Sequence, residues 1–125
     1  MFEKMKKTLP VRLLGDSVLN TKAKLVRKID GEVAGLAEKM VETMYKHNGI
    51  GLAAPQVGVP LRMFVLHVYP DEDEKGNPVY GNSPGEVELM PKMPLAFVNP
   101  EIVSFGKEQE DFDEGCLSVP GLYAP

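Results

Sequence analysis

Seven apolar residues, Val33, Leu36, Ala37, Met40, Val41, Met44 and Tyr45, recur at intervals of three and four and lead directly into the stretch GIGLAAPQVG, Gly49 to Gly58. Such spacing predicts one apolar face of a helix. Asp30 stands where an N-cap belongs, Lys46 and His47 fall in the last turn where positive charge suits the helix dipole, and Asn48-Gly49 supplies a stop. The helix is therefore expected over roughly 31–47. Within the stretch that follows, Gly49-Ile-Gly51-Leu-Ala-Ala54 fits G-x-G-x-x-A, the fingerprint with which a backbone approaches a pyrophosphate at a helix N-terminus. That fingerprint must follow a strand and open a helix. Here a helix precedes it, and Leu61–Val68, bounded by Pro60, reads as a largely buried strand, so no crossover helix fits between them. A dinucleotide fold is excluded; a generic glycine loop is left open by these residues alone.

Ala96–Asn99 and Glu101–Phe105 read as two further short strands, broken by Pro100. Between the strands, residues 70–94 carry five prolines, three glycines and the acidic cluster Asp71-Glu-Asp-Glu74. They read as a long surface loop with a hairpin tip at Gly76-Asn77 or Gly81-Asn82. The order helix, strand, loop, strand suits an α+β class, an N-terminal helix on small antiparallel sheets, better than repeated βαβ units. With 125 residues, 43% of them hydrophobic, one domain over 1–125 is expected.

Net charge is −4, unevenly placed: residues 1–69 carry net +5 and residues 70–125 net −9. The deficit of Lys and Arg argues against a nucleic-acid partner. No apolar run approaches the roughly 20 residues a bilayer-spanning helix needs. Pro10 and Arg12 interrupt the apolar residues after the basic start, so no signal-peptide core follows. The single cysteine, Cys116, cannot close an internal disulfide, which favours a reducing compartment and a cytoplasmic location.

Cys116 lies in Glu114-Gly-Cys-Leu-Ser118, after the acidic run Glu108 to Asp113. Alone, such a cysteine reads more readily as a small buried apolar group than as a ligand. Taken together, however, GIGLAAPQVG and EGCLS resemble the first two signature motifs of the peptide deformylase family. The likeness extends to Glu42-Thr-Met-Tyr45 and Phe97-Val-Asn-Pro100 and covers essentially the whole chain. It implies a peptide deformylase-like fold and metal-dependent hydrolysis of the N-formyl group from the initiator methionine of nascent polypeptides. It also implies an Fe²⁺ ion replaceable by Zn²⁺, Ni²⁺ or Co²⁺, and a place near the ribosome. Cys116 would then be a thiolate ligand, a soft donor suited to such metals. Gln56 would offer its carboxamide NH₂ and Leu117 its backbone N–H to the developing oxyanion. Glu114 would orient the site or merely extend an acidic face. Gly49, Ile50 and Gly51 would form an edge on which an extended peptide adds as a strand.

His47 at a helix end and His67 in a strand both have sufficient structural explanations, and neither sits in a metal-binding spacing. A cysteine-nucleophile hydrolase pairing Cys116 with one of them is chemically conceivable, but it gives GIGLAAPQ no role. The family's third motif, H-E-x-x-H on a helix, supplies two ligands and a general base. It does not occur in these 125 residues. The expectation is therefore a deformylase domain lacking its C-terminal part. A catalytically inactive deformylase-like binding protein and half of a split enzyme are the alternatives.

Overall fold

A computed structural model describes residues 8–81, 83–109 and 114–124, the last three of these by backbone alone. Helix α1 runs over Gly31–Lys46, and Asp30 caps it by accepting the N–H groups of Glu32 and Val33 at 3.1 Å each. The predicted face is the one that faces inward. Met40, Thr43 and Met44 are fully buried, with Val33, Leu36, Ala37, Val41 and Tyr45 half-covered beside them. Each buried methionine contributes about 1.5–3 kcal/mol by leaving water. Thr43, a polar residue in that core, is satisfied: its hydroxyl donates to the Lys39 carbonyl at 2.7 Å and accepts the Leu9 N–H at 2.8 Å. At the far end Asn48, not Gly49, takes the left-handed conformation (φ 56°), and the Gly49 N–H returns to the Met44 carbonyl.

Directly after this stop comes strand β1, Gly51–Ala53, inside the glycine-rich stretch. A single 3-10 turn over Ala54–Val57 ends at Gly58 (φ 85°), where the chain reverses. Strand β2 is Met63–Leu66, shorter than the apolar run that predicted it, and it pairs antiparallel with β1 on one side. Strands β3, Asp71–Glu72, and β4, Pro78–Val79, form a two-stranded ribbon. Its turn is at Gly76-Asn77, one of the two expected tips, with the Asp73 carboxylate accepting the Lys75 and Asn77 N–H groups. Helix α2, Pro84–Leu89, also lies within the expected loop. Ser83 caps it and Glu86 answers, a capping arrangement that Ser-Pro-Gly-Glu signals directly. Strand β5, Leu95–Val98, completes the sheet in the order β1-β2-β5.

α1 covers one face of this sheet, meeting Leu52, Met63 and Val65 from β1 and β2. On the opposite face Phe64 and Phe97 stack with ring centres 4.9 Å apart. Residues 101–105, expected as a strand, form none: Val103 is 92% exposed and Phe105 83%. Their β-branched composition finds no neighbouring strand among the described residues, and Asn99 turns the chain away at φ 52°. Beyond them β6, Glu114–Cys116, and β7, Val119–Ala124, make a separate hairpin. Residues 110–113 of the acidic run lie outside the described residues, and so does Asn82. Among the described residues no helix is long and apolar enough to cross a membrane.

Asn99 deserves its φ, because its carboxamide is a two-pronged clamp. It accepts the Val26 N–H at 2.8 Å and donates to the Val26 carbonyl at 2.9 Å, tying the segment before α1 to the end of β5. Asn99→Ala removes both bonds and leaves a Cβ residue in the left-handed region. At about 0.5–1.5 kcal/mol per bond and roughly 1 kcal/mol for the backbone, the loss should be about 2–4 kcal/mol. Urea denaturation reads this directly, and Asn99→Gly, which keeps the conformation free, should lose less.

Candidate active site

Three chain segments far apart in sequence meet at the tip of the β6–β7 hairpin. Cys116 pairs with Val119, so Leu117 and Ser118 are the two residues of the tip, and the ladder shifts register between Gly115 and Cys116. A two-residue tip lies outside the ladder. Among the described residues no backbone bond takes the Leu117 N–H, while its side chain points back into the body and joins the core cluster. Gly49 makes room for it: a Cβ there would stand 2.8 Å from Leu117 Cδ1. The first and second motifs are thus in direct contact, through a glycine whose missing side chain is what lets them close.

Gln56 is held on the other side of that contact. Its Oε1 accepts the Ala53 N–H at 2.9 Å, which directs Nε2 toward the hairpin tip. There Nε2 donates to Ser118 Oγ at 3.3 Å and lies 3.6 Å from Cys116 Sγ. Although Gln56 sits in a tight turn, its side chain bridges sixty residues of chain. Cys116 is exposed, and so is not the buried apolar cysteine that composition alone favours. The N-terminal segment fastens both partners: the Arg12 N–H donates to the Gln56 carbonyl at 2.6 Å and the Leu14 N–H to the Ser118 carbonyl at 2.9 Å.

Among the described residues β1 is an edge strand, bonded to β2 alone. The His67 N–H donates to the Ile50 carbonyl at 2.8 Å, so Ile50 faces β2. Because alternate residues of an antiparallel strand point their N–H and C=O to opposite sides, Gly51 directs both groups to the open edge. Ala53, of the same parity, spends its N–H on Gln56. Gly51 is therefore the one residue of the Gly49-Ile50-Gly51 set whose backbone is offered outward in strand geometry, while the half-exposed Ile50 side chain flanks it. Glu114 is exposed at the start of β6, and among the described residues no hydrogen bond joins its side chain to Gln56 or Cys116.

The histidines are elsewhere engaged. His47 caps the end of α1. His67 Nδ1 lies 2.6 Å from the Tyr45 hydroxyl, and its ring stacks on Tyr69 at 4.1 Å. Burial, then the charges of Tyr69 and Glu42, push the Tyr45 phenol above its ordinary range. Neither histidine is bonded to Cys116, which disfavours a cysteine-histidine nucleophile pair. Nor do the described residues bring three His, Cys, Asp or Glu side chains together in a metal-binding group. What they offer a soft divalent ion is one exposed sulfur beside a carboxamide donor: a partial donor set that fits such an ion in kind but not in number. Sequence reasoning missed Ser118, although it is the last letter of the second motif; it is 4% exposed and touches both Gln56 and the N-terminal segment.

The family model described as polypeptide deformylase matches residues 8–125. A peptide deformylase of Picosynechococcus is 44% identical over 115 residues, 92% of this chain and 52% of that protein. Among solved structures, the peptide deformylase from Thermotoga maritima is 38% identical, with a TM-score of 0.70 over 93% of this chain and 64% of that one. The peptide deformylase from Ehrlichia chaffeensis is 35% identical, with a TM-score of 0.74 over 94% of this chain and 61% of that one. The chain spans about half the length of the curated relatives it matches.

Proposed function

The chain belongs to the polypeptide deformylase family, and from that premise we propose that it forms the part of a deformylase site that seats the formylated peptide and steadies the charge developing on its formyl oxygen. The observation that carries this reading is the approach of the Gln56 carboxamide to the Cys116 sulfur, with the tip N–H of Leu117 beside them. A formyl-methionyl nascent peptide, extended, adds to the open edge of β1 through the N–H and C=O of Gly51, flanked by Gly49 and Ile50. Its formyl oxygen then faces two donors, Gln56 Nε2 and the Leu117 N–H. Both are held in place before the reaction begins, so they stabilise negative charge without reorganising. Cys116 contributes one ligand for a divalent ion, Fe²⁺ or a substitute such as Zn²⁺, Ni²⁺ or Co²⁺. Such an ion supplies Lewis acidity and a hydroxide nucleophile near neutral pH. Glu114, exposed and without a hydrogen bond to Gln56 or Cys116 among the described residues, is given no part in proton transfer. A cytoplasmic enzyme acting beside the ribosome is the setting this substrate requires.

The 125 residues supply one metal ligand and no H-E-x-x-H base. On their own they are expected to bind without turning over. The experiment compares residues 1–125 with a complete domain, made by joining them to the C-terminal portion of a relative. Both are loaded anaerobically with Fe²⁺, or with Ni²⁺, and formate release from formyl-Met-Ala is followed. Metal-dependent release by the complete domain and none by residues 1–125 is the expected pair of results. Turnover by residues 1–125 alone would return His47 and His67 to consideration as ligands.

A further inference from the structure

We propose that Ser118 is the positioning residue for the Gln56 carboxamide, committing one of its two N–H groups so that the other has a single direction left, over Cys116. A carboxamide has nearly equal oxygen and nitrogen ends and a broad terminal torsion, so by itself it aims its donors poorly. Two bonds remove that freedom. The Ala53 N–H takes Oε1 and thereby decides which end faces the hairpin tip. Ser118 Oγ takes one hydrogen of Nε2 at 3.3 Å. The serine is suited to this because it is 4% exposed: with water excluded, its hydroxyl gains nothing by releasing the carboxamide. Both residues are also pinned through their carbonyls by one short piece of chain, Gln56 by the Arg12 N–H and Ser118 by the Leu14 N–H. Residues 12–14 thus set the distance across which Nε2 and Oγ meet. The inference rests on Gln56 being the oxyanion donor of the proposed deformylase site, and Ser118 touches neither substrate nor metal in it.

The chain makes a clean test possible because it contains only two glutamines, Gln56 and the exposed Gln109. Selective ¹⁵N labelling of glutamine side chains gives two NH₂ pairs, the second an internal reference. In the wild-type chain the Gln56 pair should exchange its protons with water about tenfold more slowly than the Gln109 pair, as expected for bonded hydrogens. Ser118→Ala should bring the two rates together, and Ser118→Thr, which keeps the hydroxyl, should restore the difference. Where alanine unfolds the chain, Ser118→Cys carries the same test, since it keeps the volume and weakens the acceptor. A Gln56 pair that is unaltered by Ser118→Ala or Ser118→Cys in a folded chain overturns the proposal, as does a wild-type pair indistinguishable from Gln109. The second arm uses the complete, metal-loaded domain. Ser118→Ala there should lower kcat about tenfold with KM and metal content little changed, and Ser118→Thr should recover it. An unchanged kcat overturns the proposal. The two levels of inference fail separately: full activity of Gln56→Ala sinks the deformylase role of Gln56 without altering the exchange result, whereas an unmoved Gln56 pair sinks only the positioning role.

Discussion

Alanine at Gln56 should lower kcat for a formyl-methionyl peptide about 10²–10³-fold in the complete domain, the usual cost of losing one oxyanion donor. Metal content should stay near that of the wild type, because the carboxamide contacts Cys116 without being needed to hold an ion. KM should move little, since the lost bond is made to charge that exists only as the reaction proceeds. Two functions of the side chain must be separated. Oε1 accepts the Ala53 N–H at 2.9 Å, so the alanine variant also strands a backbone donor at the end of β1. Gln56→Glu retains an acceptor for that N–H and removes the donor. It should be as slow as Gln56→Ala. A glutamate variant with near wild-type kcat would show that Gln56 serves β1 and not the reaction.

Cys116→Ala should release the metal. Cys116 is the one thiol in the chain, and even an outer-shell partner of a ligand typically costs 10–100-fold in affinity when removed, so loss of the ligand should exceed roughly 10²-fold. Dialysed protein should retain almost no ion by elemental analysis and release no formate. Because Cys116 is exposed and sits at the end of β6, the fold should tolerate the change. Equal metal loss in Gln56→Ala and Cys116→Ala would erase the division of labour between donor and ligand.

How much of this was legible in the sequence differs from one element to the next. α1 was readable to within a residue because a seven-residue apolar stripe and the Asp30 cap act locally. β1 was hidden: Gly51, Leu52 and Ala53 carry little strand preference, and they pair only because β2 lies alongside. The opposite error arose at 101–105, where Ile102 and Val103 have the composition of a strand but no partner strand among the described residues. α2 was signalled by Ser83-Pro-Gly-Glu86 and passed over among prolines. In the site, Cys116 and Gln56 were found through the motifs that contain them. Their approach could not be read from spacing, because it depends on Gly49 admitting Leu117 and on Arg12 and Leu14 lacing the two turns together. Ser118 escaped for the same reason. A serine in a motif looks polar and exposed until the fold shows its hydroxyl turned inward.

Substitution with Co²⁺ tests whether Cys116 ligates an ion beside the Gln56 donor. The complete domain loaded with Co²⁺ should show a thiolate-to-cobalt charge-transfer absorption that persists in Gln56→Ala and vanishes in Cys116→Ala. A wild-type spectrum without that band, or one that Cys116→Ala leaves unchanged, would contradict that ligation.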